Sequence, residues 1–202
     1  MRHDLKAAVT ALRQRPRLAM SLAMDAVFSI AYGACYWVLI PRLTIDILGG
    51  GLTAYPWVIE AVSGGGLIGG VIGGIVRWRD KTFVVALGFA VAGLAFALMW
   101  LAPSVHAVVV LGAIVGLAMA VENVALLSVL HEFCPSNFLG TVFSFWRVSV
   151  EAAGVSGMLI GGLAADLLPP GLLALAFGLY VPIVMMVLMC GLHLIEARIE
   201  NR

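Results

Sequence analysis

Between Leu139 and Asp166 the chain reads LGTVFSFWRVSVEAAGVSGMLIGGLAAD, an apolar, glycine-rich run that holds one arginine and one glutamate, Arg147 and Glu151. At 3.6 residues per turn a helix sets these two charges one turn apart on one face, with Gly154, Gly157 and Gly161 on a nearby strip. A charge facing lipid at mid-membrane costs about 2.5–3.5 kcal/mol on the mildest scale, so this face has to meet protein or water. The rest of the chain sets the solvent. With 62% hydrophobic and 11% charged residues and a mean hydropathy of +1.08, it lies outside the range of soluble domains. At about 20 residues per span, 202 residues hold six spans with no soluble domain left over. The expected class is an all-α membrane protein.

Residues 1–16 form a cytoplasmic amphipathic leader, with Leu5, Val9 and Leu12 at helical spacing and Arg2, Lys6, Arg13 and Arg15 among the polar positions. A six-span bundle over 17–197 follows, with spans at about 18–40, 55–76, 83–101, 105–130, 138–165 and 172–194. Pro41, Pro103, Pro135 and the pair Pro169-Pro170 punctuate them, and 198–202 is a cytoplasmic tail. Of the twelve basic residues, ten fall in the N-terminus, the 77–81 turn and the C-terminal tail; Arg42 stands alone on the other side and Arg147 is inside a span. By the positive-inside rule both termini are cytoplasmic.

The second span carries two interleaved glycine strips, Gly65, Gly69 and Gly73 on one and Gly66, Gly70 and Gly74 on the next. Such strips let a neighbouring helix approach to backbone contact, which predicts an interior packing helix. Glu60-Ala61 followed by Leu67-Ile68-Gly69-Gly70 is echoed by Glu151-Ala152 followed by Leu159-Ile160-Gly161-Gly162, 91 to 92 residues later. Three spans separate the copies, so one is inverted relative to the other.

The fourth and fifth spans join near Pro135, so Glu122 lies at the depth of residue 149, between Arg147 and Glu151, roughly 15–20 Å from the cytoplasmic face. Two readings of a Glu122, Arg147, Glu151 cluster stand side by side. In one it is a proton or charge relay, with one acid exchanging a proton while the other fixes the arginine; in the other it is a permanent salt bridge holding two helices. Asp25 and Glu60 are further intramembrane acids; Asp25 reads either as a bundle-interior acid or, in slight preference, as an interfacial one reaching back to the headgroups, and Glu60 as an outer-side partner of Arg42. Asn123, Phe143 and Trp146 are candidates to line a solute path, although aromatics at the end of a span also serve as interface anchors. Cys35, Cys134 and Cys190 lack metal-like spacing and read as packing residues.

These residues carry a resemblance. The Arg15-Pro16-Arg17-Leu18 leader, Asn123-Val124-Ala125-Leu126 with Glu132 and Pro135, Gly140-Thr141-Val142-Phe143-Ser144 with Trp146-Arg147, and the glycine-rich close from Gly157 to Asp166 together make the chain similar to the C-terminal six-helix half of major facilitator superfamily transporters of the bacterial drug and siderophore exporter type. The family's half is a 3+3 inverted repeat, as the internal echo suggests. Leu139 stands where the family usually has arginine, and the basic gating loop is reduced to Arg77-Trp78-Arg79-Asp80-Lys81 with its acid displaced.

The resemblance implies proton-coupled efflux of a small amphipathic solute across a bacterial cytoplasmic membrane. It also implies a second six-helix half, supplied by a parallel homodimer or a separately encoded N-terminal half. The alternative is a non-transporting transporter remnant or a membrane assembly protein. An enzyme has no support, since there is no nucleophile–base set, no metal cluster and no phosphate-cradling loop. No cofactor and no nucleic acid partner are expected.

Overall fold

The computed structural model describes residues 15–134, 136 and 138–200, with side chains to residue 198. The leader up to residue 14, Pro135, Asn137 and residues 201–202 lie outside the described residues. Among those described there are no strands, and six helices are long and apolar enough to cross a membrane. They are α1 (Pro16–Ala34), α2 (Ala54–Ile75), α3 (Lys81–Met99), α4 (Val105–Phe133), α5 (Leu139–Leu167) and α6 (Pro170–Glu200).

The local chemistry sets the boundaries. Pro16 and Pro170 start helices where a missing N–H costs nothing. Asp80 caps α3 by accepting from the Phe83 N–H at 3.0 Å, and Ser104 caps α4 through Ala107. Gly49 and Gly51 turn the chain after the first span at φ of 66° and 68°, where other residues are strained. The first span does not stop at Ile40 as its proline suggests. It continues through wide π-turns, Cys35–Leu39 and Arg42–Ile47, so the full membrane crossing runs Pro16–Ile47. A π-turn tolerates Pro41 because the ladder is already displaced from i→i−4 bonding, as in the Leu48 N–H to Leu43 carbonyl bond of 2.9 Å.

α1 is central, touching α3, α4, α5 and α6. Phe28 of α1 stacks on Phe89 and Phe96 of α3 with centroids 4.6 and 6.4 Å apart. The two glycine-rich helices sit outside this core, α2 against α4 and α5 against α1. The expectation that α2 is an interior helix with both strips packed is therefore corrected. Gly65, Gly69 and Gly73 press on Ala113, Leu117 and Val124 of α4, whereas an added Cβ at Gly70 or Gly74 meets nothing within 4 Å and one at Gly66 makes only ordinary contact with Gly116. Among the described residues α2 packs along its length on α4, which covers one of its faces.

The α5–α1 seam is built the same way. Gly157 abuts the backbone of Ile30, Gly161 abuts Ala34, and Gly33 abuts Gly154. At the α2–α4 seam the matching contacts are Gly65 on Ala113, Gly69 on Leu117 and Gly116 on Val62. Missing side chains bring backbones together and replace lipid contact by dense van der Waals packing.

Candidate functional site

A cleft of about 250 Å³ opens between α1, α4 and α5. Its polar wall comes from Asp25 and Ser29 of α1, Glu122 and Asn123 of α4, and Arg147 and Glu151 of α5, with Phe28, Tyr32, Phe89 and Trp146 as its aromatic wall. All of these side chains belong to membrane-spanning helices, so the cleft is a polar inclusion at membrane depth.

Glu122 is only 3% exposed, and its Oε2 has no hydrogen-bond partner among the described residues. Room for it is made by Gly88 of α3, where an added Cβ would stand 2.5 Å from the Glu122 Cβ. Asp25, another acid, lines the same cleft, and among the described residues Glu122 makes no ion pair with a cation. A buried carboxylate without a cation is costly to keep ionised, which distinguishes this residue from a structural ion pair.

Asp25 does not reach back to the headgroups. It is 9% exposed and accepts a hydrogen bond of 2.7 Å from the Trp146 Nε1–H. Trp146 is itself buried, so it is not an interface anchor but the donor that fixes Asp25. Phe143 stands outside the cleft lining and supports the Trp146 ring edge-on at 5.2 Å. The expected cluster is thus regrouped. Arg147 Nη2 pairs with Glu151 Oε1 at 2.9 Å, both side chains are at least half exposed, and among the described residues neither pairs with Glu122. Asn123 is exposed at the cleft wall.

Glu60 is exposed and does not meet Arg42. Arg42 donates to the Ala165 carbonyl at 2.9 Å and lies 3.8 Å from Asp166, because the lengthened first span carries it toward the end of α5. Among the described residues no three His, Cys, Asp or Glu side chains gather as metal ligands would.

Sequence reasoning undervalued Asp25 and missed Ser29, Tyr32 and Gly88. The signal for Asp25 and Ser29 was present as a polar stripe, since Ser21, Asp25 and Ser29 recur every fourth residue on one face of an apolar helix. Gly88 carried no such signal.

Removing the Trp146 donor has a defined cost. Trp146→Phe keeps an aromatic ring, though a smaller one, and leaves the buried Asp25 oxygen short of a partner; it should lower unfolding free energy by at least about 1–3 kcal/mol. Denaturant unfolding in detergent measures this, and a variant as stable as the parent chain would assign the bond no net weight.

No family model, curated protein or solved structure matches this chain.

Proposed function

We propose that this chain is one six-helix half of a secondary transporter of the major facilitator type, which moves a small amphipathic solute outward in exchange for protons taken up at Glu122. The observation that carries the reading is Glu122 itself, a buried carboxyl that among the described residues has an unpartnered oxygen and no cation paired with it, on a cleft at membrane depth. Intramembrane acids of this kind are costly and serve proton or ion pathways. Asp25, held by Trp146, lines the same cleft.

The 3+3 inverted repeat is supported by matched seams. Gly65 and Gly69 stand 92 residues before Gly157 and Gly161, and their contacts, Ala113 and Leu117, stand 83 residues after Ile30 and Ala34. Gly116 on Val62 and Gly33 on Gly154 obey the same two offsets. The central contact of α3 with α6 is reciprocal, Gly93 meeting Val181 and Gly178 meeting Ala97. The seam of α2 on α4 thus matches the seam of α5 on α1, as expected if α1 answers to α4 and α2 to α5. An odd number of crossings between equivalents makes one set inverted.

A second bundle follows from the Arg147–Glu151 pair, which is exposed on α5 about 12–18 Å from the start of the helix at 1.5 Å per residue. Exposed charges at that depth require water or protein against them, and an opposing half supplies both. Arg17 and Glu196, at the two ends of the bundle's chain path, pair at 2.6 Å, which groups the basic residues of the first and last helices on one side. We assign that side to the cytoplasm of a bacterial cell by the positive-inside rule.

The test is mass and flux together. Extracted from its native membrane in mild detergent, the 21.3 kDa chain should run with a second copy or a membrane protein of similar size. That species, in liposomes with an imposed pH gradient, should expel amphipathic dyes. A lone chain without flux would overturn the reading.

A further inference from the structure

The 76–80 turn closes a second, smaller pocket of about 210 Å³ at the basic end of the bundle, between the ends of α1, α3 and α4. Its wall carries Arg17, Arg79 and Lys81 against a single acid, Glu132. Lys81 is held by Glu132 at 2.6 Å and Arg17 by Glu196 at 2.6 Å, while Arg79 makes no ion pair among the described residues. Asp80 beside it accepts from the Phe83 N–H as the cap of α3. Lysine and arginine each carry more donors than one carboxylate consumes, so the paired cations still offer N–H groups to the pocket.

Trp78 completes the wall, and its indole Nε1–H is buried without an acceptor among the described residues. Buried donors are nearly always satisfied, and beside three cationic side chains the acceptor that suits this N–H is an anion with several oxygens. The pocket lies where the spans end, at the level of lipid headgroups and on the side where lysine and arginine concentrate. Basic pockets between transmembrane helices at that level take acidic lipid headgroups.

We propose that this pocket binds a phosphate group, carried by an anionic phospholipid or free in solution, with Arg79 and the Trp78 indole N–H as the donors that discriminate it. The inference concerns the membrane-facing end of the bundle and does not rest on transport. Arg77 supplies an internal control. It is exposed and two residues from Arg79, yet it is not part of the pocket wall.

Native mass spectrometry of the detergent-purified chain with phosphatidylglycerol or phosphatidylcholine of matched acyl chains tests the lipid source. Phosphatidylglycerol should be retained about fivefold more than phosphatidylcholine, which is the weight of one basic residue at a membrane surface. Arg79→Ala should remove that preference, Trp78→Phe should reduce it while keeping the ring, and Arg77→Ala should leave it intact. A parallel thermal-unfolding series compares inorganic phosphate with chloride at equal ionic strength. Protection by phosphate that is lost in Arg79→Ala, without any lipid preference, would assign the site to the free anion. Absence of both responses, or an equal loss in Arg77→Ala and Arg79→Ala, would overturn the pocket and leave only diffuse surface charge.

Discussion

The Glu122→Gln chain is expected to keep its fold and to lose proton-driven solute flux down to the level of protein-free vesicles. Glutamine has nearly the shape of glutamate, so the space cleared by Gly88 still fits it, but it cannot take up and release a proton. Exchange of labelled for unlabelled solute needs no net proton movement and should continue, which separates a coupling defect from a folding defect. Glu151→Gln should have the smaller effect, because Glu151 is 69% exposed and already paired with Arg147, where an ion pair contributes little. Proteoliposome assays of both modes on both variants decide the matter. If Glu122→Gln retains driven flux and Glu151→Gln loses it, the proton carrier lies on α5, and the buried acid of α4 is structural.

The number of spans and the approximate ends of five of them were legible in the sequence, because apolar run length and helix-stopping residues act locally. The Arg147–Glu151 pair was legible for the same reason, since positions i and i+4 meet on any helix. What periodicity cannot say is which neighbour covers each face. Gly65 and Gly66 look alike in the sequence, yet one is pressed into α4 and the other is nearly open. Trp146 near the start of an apolar helix reads as an interface aromatic, and only the crossing of α1 over α5 brings its Nε1 within 2.7 Å of Asp25. Asp25 itself was visible as an intramembrane acid, but its direction depended on that crossing. The run through Pro41 was hidden because a proline reports a lost bond, and a π-turn is one way of losing it without ending the helix.

The two glycine seams give the largest expected change in stability. Gly157→Leu and Gly65→Leu should each destabilise the bundle strongly, whereas Gly70→Leu and Gly162→Leu should be neutral or stabilising. At Gly157 the added Cβ would collide with the backbone of Ile30, and at Gly65 with that of Ala113. A backbone carbonyl cannot rotate away as a side chain does, so relief requires moving a whole helix. Overpacking a closed core costs about 1–3 kcal/mol, and a collision with backbone belongs at or above the top of that range. At Gly70 and Gly162 nothing lies within 4 Å of the added carbon, and replacing a mid-helix glycine by leucine gains up to about 1 kcal/mol of helix propensity. Denaturant unfolding in detergent should therefore give opposite signs for positions only five residues apart on each helix. Equal penalties at Gly65 and Gly157 would go further, since the two sites share no contact and no neighbour. Their agreement would arise because spans two and five occupy equivalent places against spans four and one, and a large inequality would count against the repeat on which the half-transporter reading is built.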